Sequence, residues 1–205
     1  MDINFFKKVR VMDGGMGQEL LARGMAPNGT LWSANALLKE KYHKLMLNTH
    51  LDFVKAGAEI IVTTTFATRK LRLKDNNVLD KFEYLNKKAG EIALKVKKFY
   101  PKILIAGGLP PQNLTYKADD RDKEVIRENF LSQARILDPY IDFFYMDVLS
   151  SVREFEIAID CTKEFNKPYL LGAHISQGTN LPSGEKISDI MKNIKDEKIL
   201  GIILS

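Results

Sequence analysis

The sequence predicts an α/β protein built around a parallel β-sheet. Short apolar runs bounded by turn residues alternate with longer amphipathic segments along all 205 residues, which is typical of repeated βα units. Most of the short runs are continuously apolar, as strands buried on both faces require. Two arrangements satisfy these observations, an open doubly wound sheet and a closed barrel.

The composition is that of an ordinary globular protein and narrows the choice of partners. Lys and Arg number 31 against 26 Asp and Glu, a net charge of +5, but the lysines are dispersed, so we expect no nucleic-acid partner. The single cysteine, Cys161, excludes an intramolecular disulfide and indicates a reducing compartment. No apolar run reaches the roughly 18 residues of a membrane span, and residues 1–10 lack a secretory signal pattern. We therefore expect a cytoplasmic protein without membrane contact.

Six segments are predicted to be strands because they are short, apolar and bounded by turn residues. They are 9–12, 59–65, 103–106, 143–146, 169–173 and 199–204. The glycine-rich turn at 13–17 follows the first of them. It does not complete a dinucleotide-binding fingerprint, because Leu20 replaces the last glycine and Asp13 would repel a pyrophosphate.

Five longer segments are predicted to be helices. They are 43–56, 82–99, 122–137, 152–165 and 187–195. The second has apolar residues at alternating steps of three and four, the stripe by which a helix covers a sheet. Gly57 and Pro139 are suitable stop signals for the first and third. We see no linker and no repeat, and we expect one domain over 1–205.

Polar side chains follow several of the predicted strands. Asp13 ends the first strand, residues 63–65 and Phe66 end the second, Asp147 ends the fourth and His174 the fifth. In a barrel these ends converge on one mouth. Two carboxylates there could hold an ammonium group or a metal ion, or divide acid and base roles. Each of these residues also has a structural alternative to a role in a site. Asp13 and Asp147 could cap the helices that follow them, and His174 could be an ordinary hydrogen-bonded histidine.

Four further residues have chemistry that could serve a site. Trp32, the only tryptophan, is either a packing anchor or an aromatic wall for a cationic ligand. Cys161 lies in an apolar helix pattern and is expected to be a buried structural thiol. His43 and His50 fall in the first predicted helix, where we expect surface or packing roles.

Several motifs resemble the homocysteine S-methyltransferase family, which includes users of betaine and of S-methylmethionine. The matching segments are Asp13-Gly14-Gly15-Met16-Gly17-Gln18-Glu19-Leu20, Arg23-Gly24, Leu31-Trp32-Ser33-Ala34, Thr49-His50-Leu51-Asp52-Phe53, Ala56-Gly57-Ala58-Glu59, Thr63-Thr64-Thr65-Phe66, Ala106-Gly107-Gly108 and Leu181-Pro182-Ser183-Gly184. Their order and spacing are specific and cover nearly the whole chain.

This resemblance implies a (β/α)8 TIM-barrel fold and a methyltransferase. Such a protein moves a methyl group from a sulfonium or ammonium donor to homocysteine, giving methionine, and holds Zn²⁺ through three cysteine thiolates that activate the homocysteine sulfur. The implied homocysteine contacts are Asp13, Gly14, Thr64 and Asp147, and the residues implied beside the methyl donor are Trp32 and Phe66.

The sequence departs from the family pattern at three places. Asp147 stands where the family usually has Glu, one methylene longer. Phe66 is followed by Ala67 instead of a second aromatic residue, which makes betaine less favoured as the donor. Without gaps, Leu204 takes the place of the first zinc-binding cysteine, and with a short shift that place falls beyond the end of the sequence, so no family zinc ligand is present.

The resemblance and these departures together predict an incomplete barrel domain over 1–205, with about six of eight βα units. Zn²⁺ is expected only in a complete family member, and this chain is expected to be inactive without a missing C-terminal segment or a second chain. A non-catalytic fragment or partner subunit that binds a small amino acid is the alternative. A third hypothesis is an unrelated barrel lyase that uses Asp13, Asp147 and His174 as acid, base or metal ligands.

Overall fold

The computed structural model describes residues 3–176 and 178–204 and contains a parallel five-stranded sheet within them. The strands are β1 (Ile60–Val62), β2 (Leu104–Leu109), β3 (Phe143–Leu149), β4 (Tyr169–Ala173) and β5 (Ile199–Leu204). They lie side by side in chain order, and each pair is parallel. Residues 1, 2, 177 and 205 belong to the predicted domain 1–205 but lie outside the described part.

The first predicted strand, 9–12, is wrong as a regular strand. Met12 forms only an isolated parallel bridge with Ile60, and the Asp13 N–H donates to the Ile60 carbonyl at 3.0 Å. Val9 and Val11 are 97% and 53% exposed, so they bury too little apolar surface to extend the pairing. The chain at 11–13 nevertheless lies alongside β1, and this places Asp13 at the edge of the sheet.

The other five predicted strands are confirmed. β4 and β5 have the predicted ends, whereas β1, β2 and β3 have changed ends. β1 stops before the threonines at 63–65, because the Thr65 N–H donates to the Thr63 carbonyl at 2.7 Å and turns the chain. β2 and β3 run three residues further than predicted. The additional residues of β3 include Asp147, which therefore lies within the strand and not after it.

Eight α-helices connect and cover the strands in the described part of the chain. They are α1 (Met16–Ala22), α2 (Ala34–Leu38), α3 (His43–Lys55), α4 (Lys70–Asp75), α5 (Phe82–Phe99), α6 (Lys123–Leu137), α7 (Val152–Thr162) and α8 (Ile187–Asn193). The five predicted helices are confirmed as α3 and α5 to α8, while the short helices α1, α2 and α4 were not predicted. Over the described ranges, none of the helices is long and apolar enough to cross a membrane.

The two faces of the sheet pack against different parts of the chain. One face contributes Ile105, Phe144 and Leu171 to the main core beneath α5, α6 and α7. The other face contributes a smaller cluster around Phe143, against which the partly buried Phe6 packs with ring centroids 5.6 Å apart. The alternation of side chains along each strand therefore buries both faces, as the continuous apolar runs predict.

Candidate functional site

A cavity of about 510 Å³ opens at the carboxyl ends of β1 and β3, beside the glycine-rich turn at 13–17. Its walls include all six residues that the sequence predicts as ligand contacts: Asp13, Gly14, Trp32, Thr64, Phe66 and Asp147. These residues come from four separated stretches of the chain, and the end of the parallel sheet brings them together. Their contact with ligands stays a prediction.

Asp13 is held at the inner end of the cavity by the backbone of β1. Its side chain is 4% exposed, and both carboxylate oxygens lie 3.1 Å from the Val62 N–H, which donates to them. Gly15 is the N-cap residue of α1, so the capping alternative for Asp13 is wrong. Burial raises the pKa of Asp13, while the His50 ring and the Val62 N–H oppose that rise.

His50 is a site residue that the sequence analysis missed. Its side chain is 1% exposed and lies between two predicted contacts, with Nδ1 3.5 Å from Asp13 Oδ2 and Nε2 3.3 Å from Thr64 Oγ1. His50 lies four residues after the buried Met46, so helical spacing could have indicated burial. The identity of its polar partners depends on the packing of α3 against β1, and no pattern in the sequence around His50 predicts it.

Asp147 enters the cavity from an irregular part of β3. The pairing of β3 with β4 shifts register between Met146 and Leu149, and Val148 has a left-handed φ of 63°. A β-branched residue rarely adopts this conformation, and such irregularities often redirect a side chain next to a site. Ser151, not Asp147, caps α7, so the capping alternative is wrong here too.

Asp147 has an environment suited to changing its charge near neutral pH. Burial raises its pKa to about 7, helped by the negative charge of Asp13 and opposed by a hydrogen bond from the Tyr145 hydroxyl. Tyr145 also lines the cavity and is a second contact that the sequence analysis missed. Two carboxylates that line one cavity attract a cation, because a bound positive charge allows both to ionise.

Trp32 and Phe66 form an aromatic side of the same cavity. The Trp32 indole packs so closely on Gly17 that an added Cβ there would lie 1.9 Å from Nε1. Trp32 nevertheless stays 42% exposed and lines the cavity. The packing role of this tryptophan is therefore confirmed, while its role as a wall for a cationic ligand stays a prediction.

The described residues do not fit a thiolate zinc site. No three His, Cys, Asp or Glu side chains cluster in a metal-binding arrangement within 3–176 and 178–204. Cys161 is buried in α7 as predicted, its thiol donates to the Arg127 carbonyl at 3.3 Å, and burial raises its pKa to about 12. Leu204, at the place that the resemblance gives to a cysteine, lines the cavity.

The structure does not assemble the three residues of the lyase hypothesis. His174 is absent from the cavity wall that contains Asp13 and Asp147, and its ring packs on Tyr116 with centroids 4.3 Å apart. Its backbone N–H donates to the Leu149 carbonyl, which fixes it just beyond β4. His43 has the ordinary role expected of it, with Nε2 2.8 Å from the Leu37 carbonyl.

The fold and the cavity define a parallel α/β protein with a cavity at its strand ends. Residues 10–205 match the family model described as homocysteine S-methyltransferase. The chain belongs to the homocysteine S-methyltransferase family.

Curated relatives are consistent with this assignment over parts of their length. Homocysteine S-methyltransferase 2 of Zea mays is 33% identical over 50% of this chain, but only 30% of that protein is covered. Homocysteine S-methyltransferase 1 of Saccharomyces cerevisiae is 23% identical over 92% of this chain and 64% of its own length. The chain thus spans less than two thirds of these relatives.

Solved structures show the same fold. The metallated form of the homocysteine methyltransferase MmuM from Escherichia coli superimposes with a TM-score of 0.85 at 20% identity, covering 99% of this chain and 77% of that one. The apo form gives a TM-score of 0.72 over 96% and 71% of the two chains. The predicted α/β barrel class is confirmed by this similarity.

Proposed function

We propose that the cavity binds homocysteine and that the protein transfers a methyl group to it from an onium donor, giving methionine. The observation that carries this proposal is the meeting of two carboxylates, Asp13 and Asp147, with an aromatic wall in one cavity. The carboxylates suit the ammonium group of an amino acid, and the aromatic faces suit a sulfonium or ammonium methyl donor.

The residues of the cavity would orient homocysteine by its polar end. Asp147 accepts a hydrogen bond from Tyr145 and has a pKa near neutrality, so a bound ammonium group would stabilise its charged form. Thr64 is tied to His50 and can offer its hydroxyl to the substrate. Gly14 lines the cavity, and we place it against the substrate.

Methyl transfer requires the homocysteine sulfur to attack the methyl carbon in line with the bond that breaks. A new S–CH₃ bond forms as the onium–CH₃ bond breaks, and the donor leaves as a neutral thioether or amine. The thiolate is the nucleophile, so the thiol proton passes to solvent before the methyl group is transferred. Holding the two substrates in line accounts for a large part of the rate of such reactions. Because the described residues supply no thiolate ligands, we assign no step to zinc.

We further propose that 1–205 is part of a larger barrel domain in the cytoplasm. Among the described strands β5 pairs only with β4, so its other edge is free for a further strand. A continuing segment or a second chain would complete the barrel. We propose the cytoplasm because a chain with a single cysteine suits a reducing compartment.

A non-catalytic binder of a small amino acid is the second candidate. It is favoured by the lack of a metal-binding cluster in the part of the chain that the structure describes. Such a protein would keep the acidic cavity and bind homocysteine without transferring a methyl group.

The two candidates are separated by an assay with deuterated homocysteine and S-methylmethionine, with and without added zinc. Deuterated methionine, detected by mass spectrometry, is the result expected of the methyltransferase. Homocysteine binding in a calorimeter without deuterated methionine in either arm would support the non-catalytic binder. A lack of both binding and product would contradict both candidates.

A further inference from the structure

A second cavity of about 480 Å³ adjoins the first and shares Trp32 and Phe66 with it. Its wall also contains Arg69, Arg72 and Thr115. The cavity that faces homocysteine is acidic, whereas this neighbouring cavity is basic. A cationic ligand group is therefore suited to the first cavity and an anionic group to the second, with Trp32 and Phe66 between them.

Arg69 brings a buried positive charge to this second cavity. Its side chain is among the largest fully buried ones, with 1% exposure. Nε donates to the Asn113 carbonyl at 3.0 Å, Nη1 to the Phe66 carbonyl at 2.8 Å and Nη2 to Thr115 Oγ1 at 3.0 Å. All three acceptors are neutral, and a guanidinium has five N–H donors, so two remain available.

The described residues provide no ion-pair partner for this charge. Over 3–176 and 178–204, no carboxylate lies within 4.0 Å of Arg69 or of its neighbour Arg72. Burial lowers the pKa of Arg69 only to about 10, so it stays charged at neutral pH. Asp75 acts on this charge only from beyond ion-pair distance. A buried cation without a paired carboxylate is costly, and an anionic ligand would relieve that cost.

We propose that Arg69 and Arg72 bind the carboxylate of the methyl donor. This assignment rests on the proposed function and narrows the donor to a zwitterionic onium compound, with its cationic centre at Trp32 and Phe66. The Arg69 guanidinium carbon lies 5.3 Å from the centre of the Phe66 ring, so a donor without an anionic group would meet unrelieved repulsion. A carboxylate matches the planar guanidinium in shape and charge.

Trp32 allows a direct test, because the single tryptophan lines both cavities and its fluorescence reports on either. The protein is titrated with S-methylmethionine and with trimethylsulfonium, which has the same cationic centre but no carboxylate. We expect S-methylmethionine to bind at least about tenfold more tightly, the factor that corresponds to ~1.4 kcal/mol.

Variants identify the residues responsible for this preference. Arg72→Gln, at a partly exposed position, is expected to reduce the preference about tenfold while homocysteine binding is kept. Arg69→Lys keeps the charge but loses the planar donors, and we expect a smaller reduction. Lys74→Gln, on the exposed side of α4, is the matched control and should leave the preference unchanged.

The possible outcomes distinguish this inference from the proposed function. Equal affinities for the two sulfonium compounds, or a preference that survives both arginine variants, would overturn the carboxylate site but leave the onium site intact. If sodium sulfate binds while the two sulfonium compounds bind with equal affinity, the arginines form a site for free anions and the inference is overturned. If neither sulfonium compound changes the fluorescence, the proposed donor site fails as well.

Discussion

At the scale of single residues, the site depends on side chains held in unusual surroundings. Asp147 has a pKa of about 7 because burial and Asp13 disfavour its charge, and it is aimed by a strand irregularity at Val148. The sequence indicated both acids, since strand ends converge in such folds. It did not indicate the polar partners of His50, Asp13 and Thr64, because they come from other parts of the chain.

Gly17 should be required for the position of Trp32. Gly17→Ala places a methyl group within the indole, so we expect the ring to move, its fluorescence maximum to shift and the free energy of unfolding to fall by about 1–3 kcal/mol. Gly15→Ala is the matched control, because an added Cβ there meets nothing within 4 Å. Equal fluorescence and stability of the two variants would contradict the packing described for Trp32.

At the scale of elements, a buried polar network holds the loop that carries Phe66. Gln133 on α6 donates to the Thr65 carbonyl at 3.2 Å and to Asn86 Oδ1 on α5 at 2.9 Å. Thr68 also donates to Asn86 Oδ1, at 2.7 Å. Helical periodicity predicted α5 and α6, but not this network, because its members are 18 to 68 positions apart.

Removing the centre of this network should destabilise the protein. Gln133→Leu removes the hydrogen bonds to the Thr65 carbonyl and to Asn86 Oδ1, and also the oxygen that accepts from the Gln112 amide. We expect this loss to lower the free energy of unfolding by about 1–3 kcal/mol. Urea denaturation measures the change, with Glu128→Gln on the exposed side of the same helix as the control. A Gln133→Leu variant as stable as that control would show that the network does not hold the loop.

At the scale of the whole molecule, the order of strands and helices could be predicted far better than the surfaces between them. Continuous apolar runs predicted five parallel strands, while 9–12 has similar residues but lies exposed at the sheet edge. From the sequence, Arg69 would be expected on the surface because it is charged and is followed by Lys70, yet it is buried in the structure. Burial of this kind follows from tertiary packing and has no local pattern.

The binding of homocysteine to the two-acid cavity is measured most directly by calorimetry at pH 6 and pH 8. An acid with a pKa of about 7 is mostly protonated at pH 6 and mostly charged at pH 8, so affinity should be higher at pH 8. Asp147→Asn should weaken binding at pH 8 by about 10- to 100-fold and remove most of the pH dependence.

Asp80→Asn, at a position whose side chain is 67% exposed, is the control for this measurement. We expect it to bind homocysteine as the unmodified protein does at both pH values. Asp147→Asn with unaltered affinity, or homocysteine that does not bind to the unmodified protein at pH 8, would contradict the role assigned to the cavity.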